Sequence, residues 1–172
     1  MAFAVTLLFD AEVAAAVSER WQRLADVGLS RSMPELGYSP HVTLAVFDQL
    51  NAKVAATALD DVFNRANRFE VTLNEISTFG SGSGTCYAAL APSPALHRLH
   101  ETVLAAIAAA CRPHYQAGRW VPHCTLAMDL PDPELERARD LLARDWRPPS
   151  GAFEIADFVE FAPVASIRRW VL

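Results

Sequence analysis

Residues 40–47 run Pro-His-Val-Thr-Leu-Ala-Val-Phe and residues 122–128 run Pro-His-Cys-Thr-Leu-Ala-Met, so one pattern, Pro-His-x-Thr-Leu, occurs twice about 82 positions apart. Each copy continues into apolar residues and has the alternation of a strand. In an extended strand, residues two apart point the same way. His41 and Thr43 therefore share one face and Val42 and Leu44 the other. His123 and Thr125 share a face in the second copy, with Cys124 and Leu126 turned into the core.

Moving outward, the elements around the two motifs come in the same order. Residues 3–9 predict a buried strand, and 11–28 a helix behind an Asp10 cap with Val13, Val17, Trp21 and Leu24 on one stripe. Residues 29–40 read as loop, 41–47 as strand, about 52–67 as a helix capped by Asn51, and 69–79 as an alternating strand. After the turn Gly80–Gly84 the order repeats. There is a strand over 86–91 and a helix opened by Ser93-Pro94, with Leu96, Leu99, Val103, Ile107 and Cys111 on its stripe. The second motif strand covers 121–128. A helix capped by Asp132 with Pro133 at its first position, a strand over 153–161 and a last strand over 166–172 complete the chain.

Phe69-Glu70-Val71 matches Phe153-Glu154-Ile155, and Val5-Thr6-Leu7 matches roughly Tyr87-Ala88-Ala89. The period is too long for a stacked solenoid, whose units are about 20–50 residues. The pattern predicts an α+β fold: one domain over 1–172 of two pseudo-symmetric lobes, approximately 1–80 and 85–172, with strands possibly exchanged between them. Each lobe would be a mainly antiparallel sheet with two helices, and an active-site cleft would lie between them with one motif on each wall.

The 172 residues are 52% apolar and 20% charged, enough for a substantial core and without the mark of disorder. MAFAVTLLFD has no basic segment and its apolar run stops at Asp10, so it reads as a strand and not as a leader. Cys86, Cys111 and Cys124 are odd in number and lack C-x-x-C spacing, which points to a reducing, cytoplasmic setting. A formal charge of -5 argues against a broad basic face for DNA or long RNA. No membrane association or protein partner is suggested.

The residue types carry a chemistry. Cleaving a phosphodiester without a metal needs a base for the attacking oxygen, an acid for the leaving oxygen, and donors for the non-bridging oxygens. With an ordinary pKa of about 6.5, two imidazoles can hold complementary protonation states near neutrality. Two threonine hydroxyls can donate to the phosphate.

On these motifs, His41-Val42-Thr43-Leu44 and His123-Cys124-Thr125-Leu126, each preceded by proline, the chain resembles the 2H phosphoesterase superfamily. That superfamily includes 2',3'-cyclic nucleotide phosphodiesterases and the RNA 2'-5' ligase-like proteins. The resemblance spans essentially the whole chain and implies a pseudo-symmetric α+β fold with one motif per lobe. It implies His41 and His123 as catalytic residues, Thr43 and Thr125 as substrate-binding residues, no metal and no cofactor. The implied substrate is a small nucleotide or an RNA end, hydrolysed at a 2',3'-cyclic phosphate or joined and opened at a 2'-5' linkage. Many ligase-like members carry a basic residue just after the second motif, where this chain has Met128 and Asp129.

Other readings compete. A zinc site would need three or four clustered ligands, and neither H-E-x-x-H nor an equivalent spacing occurs. His97 and His100 are spaced i, i+3 but fit helix packing better. Cys124 lies on the wrong face to be a nucleophile. Gly80–Gly84 is followed by a strand, not by a helix amino terminus that would cradle phosphate. Arg31, Tyr38, Arg119, Trp120, Arg168 and Arg169 can reach a phosphate or a base only if the fold brings them to the cleft. A module that binds a nucleotide phosphate without turnover would use the same His/Thr set.

Overall fold

The computed structural model describes residues 1–161 and 163–172. The chain runs β1 (Ala2–Phe9), α1 (Ala11–Asp26), α2 (Ser32–Leu36), β2 (His41–Phe47), α3 (Ala52–Phe63), β3 (Phe69–Phe79), β4 (Gly84–Leu90), α4 (Pro94–Ala106), a 3-10 turn (Pro113–Tyr115), β5 (His123–Leu130), α5 (Asp132–Ala143), β6 (Ser150–Phe161) and β7 (Ala165–Val171). It is α+β, and every strand pair is antiparallel. No described helix is long and apolar enough to cross a membrane.

The strands lie in the order β2-β1-β6-β3-β4-β5, with β7 on β6. Gly80–Gly84 closes the β3–β4 hairpin, so β3 lies with β4 and β5 while β6 lies beside β1. The triplets β2-β1-β6 and β5-β4-β3 are equivalent, each taking its third strand from the other half of the chain. They meet where Phe69 stands opposite Phe153, ring centroids 5.2 Å apart. These are the two matched residues of the duplication, and a pseudo-two-fold axis requires such self-equivalent pairs. Register refines the other match: His41 faces Leu8 and His123 faces Ala89, while Thr43 faces Thr6 and Thr125 faces Tyr87. Val5-Thr6-Leu7 thus corresponds to Cys86-Tyr87-Ala88, one residue earlier than the sequence match.

Helices cover the sheets through apolar stripes, and that of α1 is the expected one. Val13, Val17, Trp21 and Leu24 of α1 are buried, as are Ala55, Ala56, Leu59 and Phe63 of α3. Asp10 caps α1 by accepting from Val13 N at 3.0 Å, and its second carboxylate oxygen accepts from Ala152 N at 2.7 Å. A Cβ at Gly151 would run into that carboxylate, which is why glycine stands there.

Several elements differ in extent from the sequence reading. A five-residue helix, α2, forms inside the expected loop 29–40. The α1 helix stops at Asp26 and α3 at Phe63, short of the expected ends. Helix α4 stops at Ala106 instead of running to Cys111; Ile107 is extended, and Arg112 N donates to Val46 O at 2.8 Å. Pro113 disfavours helix at Arg112, and the tertiary contact overrides the alanine-rich propensity of 105–110. Asp132 is the first residue of α5, not its cap. Its carboxylate instead accepts from Gly82 N at 2.7 Å, tying the hairpin tip to the helix.

Candidate active site

The two motif strands are built alike. Val42, Leu44, Cys124 and Leu126 are buried, while His41, Thr43, His123 and Thr125 are half-buried on the opposite face. Burial pushes the Cys124 thiol up to about 12, so it is a buried thiol and not a nucleophile. Each strand carries an extra residue directly after its threonine: Thr6 and Val5 face Thr43 and Ala45, and Tyr87 and Cys86 face Thr125 and Ala127, leaving Leu44 and Leu126 as bulges. A bulge interrupts the ladder and bends the strand. The threonine carbonyls at these bends accept from tryptophans across the pseudo-axis: Trp120 Nε1 donates to Thr43 O and Trp21 Nε1 to Thr125 O, each at 3.0 Å.

The histidines are oriented by the same local device. His41 Nδ1 donates to Ser39 O at 2.9 Å and His123 Nδ1 to Val121 O at 2.7 Å. A carbonyl only accepts, so each ring carries its proton on Nδ1 and leaves Nε2 free. Burial pulls both imidazoles below the ordinary histidine value, against the lift from these backbone bonds. The charge of His123 lowers His41 further and Asp157 raises it.

Both histidines and both threonines line one cavity of about 240 Å³. Tyr38, Tyr115 and Arg112 line it as well. The Tyr38 ring meets His41 edge-on at 4.9 Å between centroids, and the His123 ring meets Phe79 at 5.0 Å and Tyr87 at 5.3 Å. Behind Tyr38 lies a fully buried carboxylate, Asp157. It accepts from Tyr38 Oη at 2.9 Å, Arg169 Nε at 2.9 Å and Ser166 Oγ at 2.5 Å. Thr6 Oγ1 lies 2.8 Å from Tyr38 Oη and donates to Asp157 O at 3.2 Å. Burial above all, with Asp157 beside it, holds the Tyr38 phenol far above its ordinary value, against the Thr6 hydrogen bond, so it stays a donor.

The structure thus brings together His41, Thr43, His123 and Thr125, the four residues singled out from sequence. Of the loop residues, Tyr38 reaches this cavity, and Arg119 and Trp120 line an adjoining one. Arg31 pairs with Glu35, and Arg168 with Asp60. Arg169 acts at one remove, through Asp157. Asp157, Arg112 and Tyr115 were not singled out. The F-E-x strand match covers 153–155 only, and the helix reading through Cys111 hid the turn that carries Arg112 and Tyr115.

Several solved structures share this fold. One described as a phosphoesterase is 19% identical with a TM-score of 0.63, covering 99% of this chain and 97% of that one. E. coli LigT complexed with 3'-AMP is 19% identical with a TM-score of 0.61, covering 99% and 97%. Kluyveromyces marxianus Usb1 is 10% identical with a TM-score of 0.60, covering 96% and 97%. At these identities the likeness is one of fold. No curated protein sequence matches the chain. The family model of the 2'-5' RNA ligase superfamily matches residues 10–160, a stretch holding both motifs, with His41, Thr43, His123 and Thr125, and Asp157. The chain therefore belongs to the 2'-5' RNA ligase superfamily of 2H phosphoesterases, enzymes that cleave or join phosphoesters.

Proposed function

We propose that the protein is a metal-independent phosphoesterase that opens the 2',3'-cyclic phosphate of a nucleotide or RNA end, with His41 and His123 as the acid–base pair. The observation that carries this reading is the convergence of both H-x-T pairs on one cavity, with both rings in the same tautomer. One neutral imidazole takes a proton from water through Nε2. The hydroxide adds to phosphorus, the bond from phosphorus to one ribose oxygen breaks, and the other ring, as imidazolium, protonates that oxygen to give a monoester. Thr43 and Thr125 donate to the non-bridging oxygens.

Burial disfavours the charged form of both imidazoles and the charge of His123 lowers His41 further, whereas an anionic phosphate between them favours protonation of one. Substrate binding therefore favours the imidazolium form of one ring. Among the structures of this fold, E. coli LigT is known with 3'-AMP, ATP, NADP+ and phosphate, which supports a nucleotide phosphate as ligand here. The family also favours a second direction, in which a ribose hydroxyl takes the place of water and a 2'-5' linkage forms or opens.

The test is turnover by EDTA-treated protein on four 2',3'-cyclic nucleotides, a short RNA ending in a cyclic phosphate, and a 2'-5'-linked dinucleotide. Monoester from a cyclic phosphate is the expected result. Nucleotide binding without product from any of them would replace this reading with a binding module.

A further inference from the structure

Beside the histidine cavity lies a larger one of about 530 Å³, and Arg112, Tyr115 and His123 line both. The two spaces therefore meet at these three side chains. Whole small-molecule ligands fill pockets of about 300–1,000 Å³. The histidine cavity, at about 240 Å³, has room for the reacting phosphate and its ribose but little more, and the adjoining space is where the rest of a nucleotide can go.

Its charge is opposite to that of the molecule. The chain carries -5, yet the lining contains Arg112, His114 and Arg119 and no carboxylate. Arg112 is engaged by Asp48 at 2.6 Å. The Arg119 guanidinium makes no ion pair or hydrogen bond among the described residues, although its backbone is held: Arg119 N and Trp120 N both donate to Gln116 O, at 3.0 and 3.1 Å, and the Trp120 indole is tied to Thr43 O. An unpaired guanidinium on an anchored turn, at the mouth of a phosphoester site, suits a second phosphate.

We propose that this cavity is a subsite for a second phosphate of the substrate, the one on the 5' side of the reacting ribose, received by Arg119. The inference rests on the two-histidine reading, which places the 2' and 3' oxygens in the smaller cavity and leaves the 5' carbon as the point from which a second phosphate extends. A 5'-terminal monophosphate and an internucleotide diester present the same chemistry, and the substrates of the test separate them.

The experiment compares KM and kcat for uridine 2',3'-cyclic phosphate, its 5'-phosphorylated form and a dinucleotide ending in a cyclic phosphate, with wild type, Arg119→Glu and Arg119→Lys. Wild type is expected to favour one or both of the 5'-extended substrates by about tenfold in KM, the worth of one charge-assisted contact. The preference should collapse in Arg119→Glu, return largely in Arg119→Lys and weaken with added salt. The larger gain identifies the monophosphate or the diester as the natural source. Turnover of all three with equal KM, or a preference that survives Arg119→Glu, overturns the subsite while leaving the two-histidine reading intact. No turnover of any substrate overturns both.

Discussion

His41 and His123 sit in matching motifs but unlike surroundings. The ring of His123 packs edge-on against the stacked pair Phe79 and Tyr87, whereas His41 faces Tyr38, behind which Asp157 is anchored by Arg169 and Ser166. Duplication makes the pair, and Asp157 makes it asymmetric. Because the carboxylate raises the His41 pKa, Asp157→Asn must lower it. The acidic limb of the kcat/KM profile moves to lower pH if His41 is the base, and the alkaline limb moves to lower pH if it is the acid. Two unmoved limbs alongside a lowered Tm would reduce Asp157 to a structural anchor. At this scale His41, Thr43, His123 and Thr125 were legible because a repeated motif is a local pattern. Asp157 was not, since its meaning depends on β1, β6 and the loop before β2 meeting in space.

Among the elements, strand and helix types follow from periodicity, while the functional bends do not. Period-two reading cannot see that Leu44 and Leu126 are extra residues, because each is apolar and is followed by another apolar residue, Ala45 or Ala127. Nor does it say that Trp21 and Trp120 complete the two bends with one indole hydrogen bond each. A buried carbonyl left without its donor costs about 1–3 kcal/mol. Trp21→Phe and Trp120→Phe should each lose about that much stability by urea titration with an unchanged m-value, and should lower kcat by loosening the threonine on the affected strand. Full activity in both variants would show that the bulges hold their shape unaided. Helix α2, at five residues, is too short to display a helical period, and the end of α4 is set by contacts with β2.

For the molecule as a whole, the duplication was legible as a fold because an 82-residue period admits two facing lobes. The exchange of β3 and β6 is decided by long-range pairing that no local signal carries. A consequence of packing histidines at this junction is acid sensitivity. Burial lowers the pKa values of His41, His123 and His100, the last buried with its Nε2 2.8 Å from Tyr115 O. A lowered histidine gives stability that is complete above the unfolded value of about 6.5 and is lost as pH falls below it, because the unfolded chain takes up protons that the folded chain refuses. The urea midpoint should therefore drop between about pH 7.5 and about pH 5.5. The drop should shrink in the His41→Asn, His123→Asn double variant, and an equal drop there would show that other groups govern acid unfolding.

The central claim, that two histidines act as one acid–base unit, is tested most directly by kcat on a 2',3'-cyclic nucleotide for EDTA-treated wild type, His41→Ala, His123→Ala and the double variant. Each single change should cost roughly 10²- to 10⁴-fold, and the double change less than the product of the two. Single variants close to wild type, or losses that multiply in full, would contradict it.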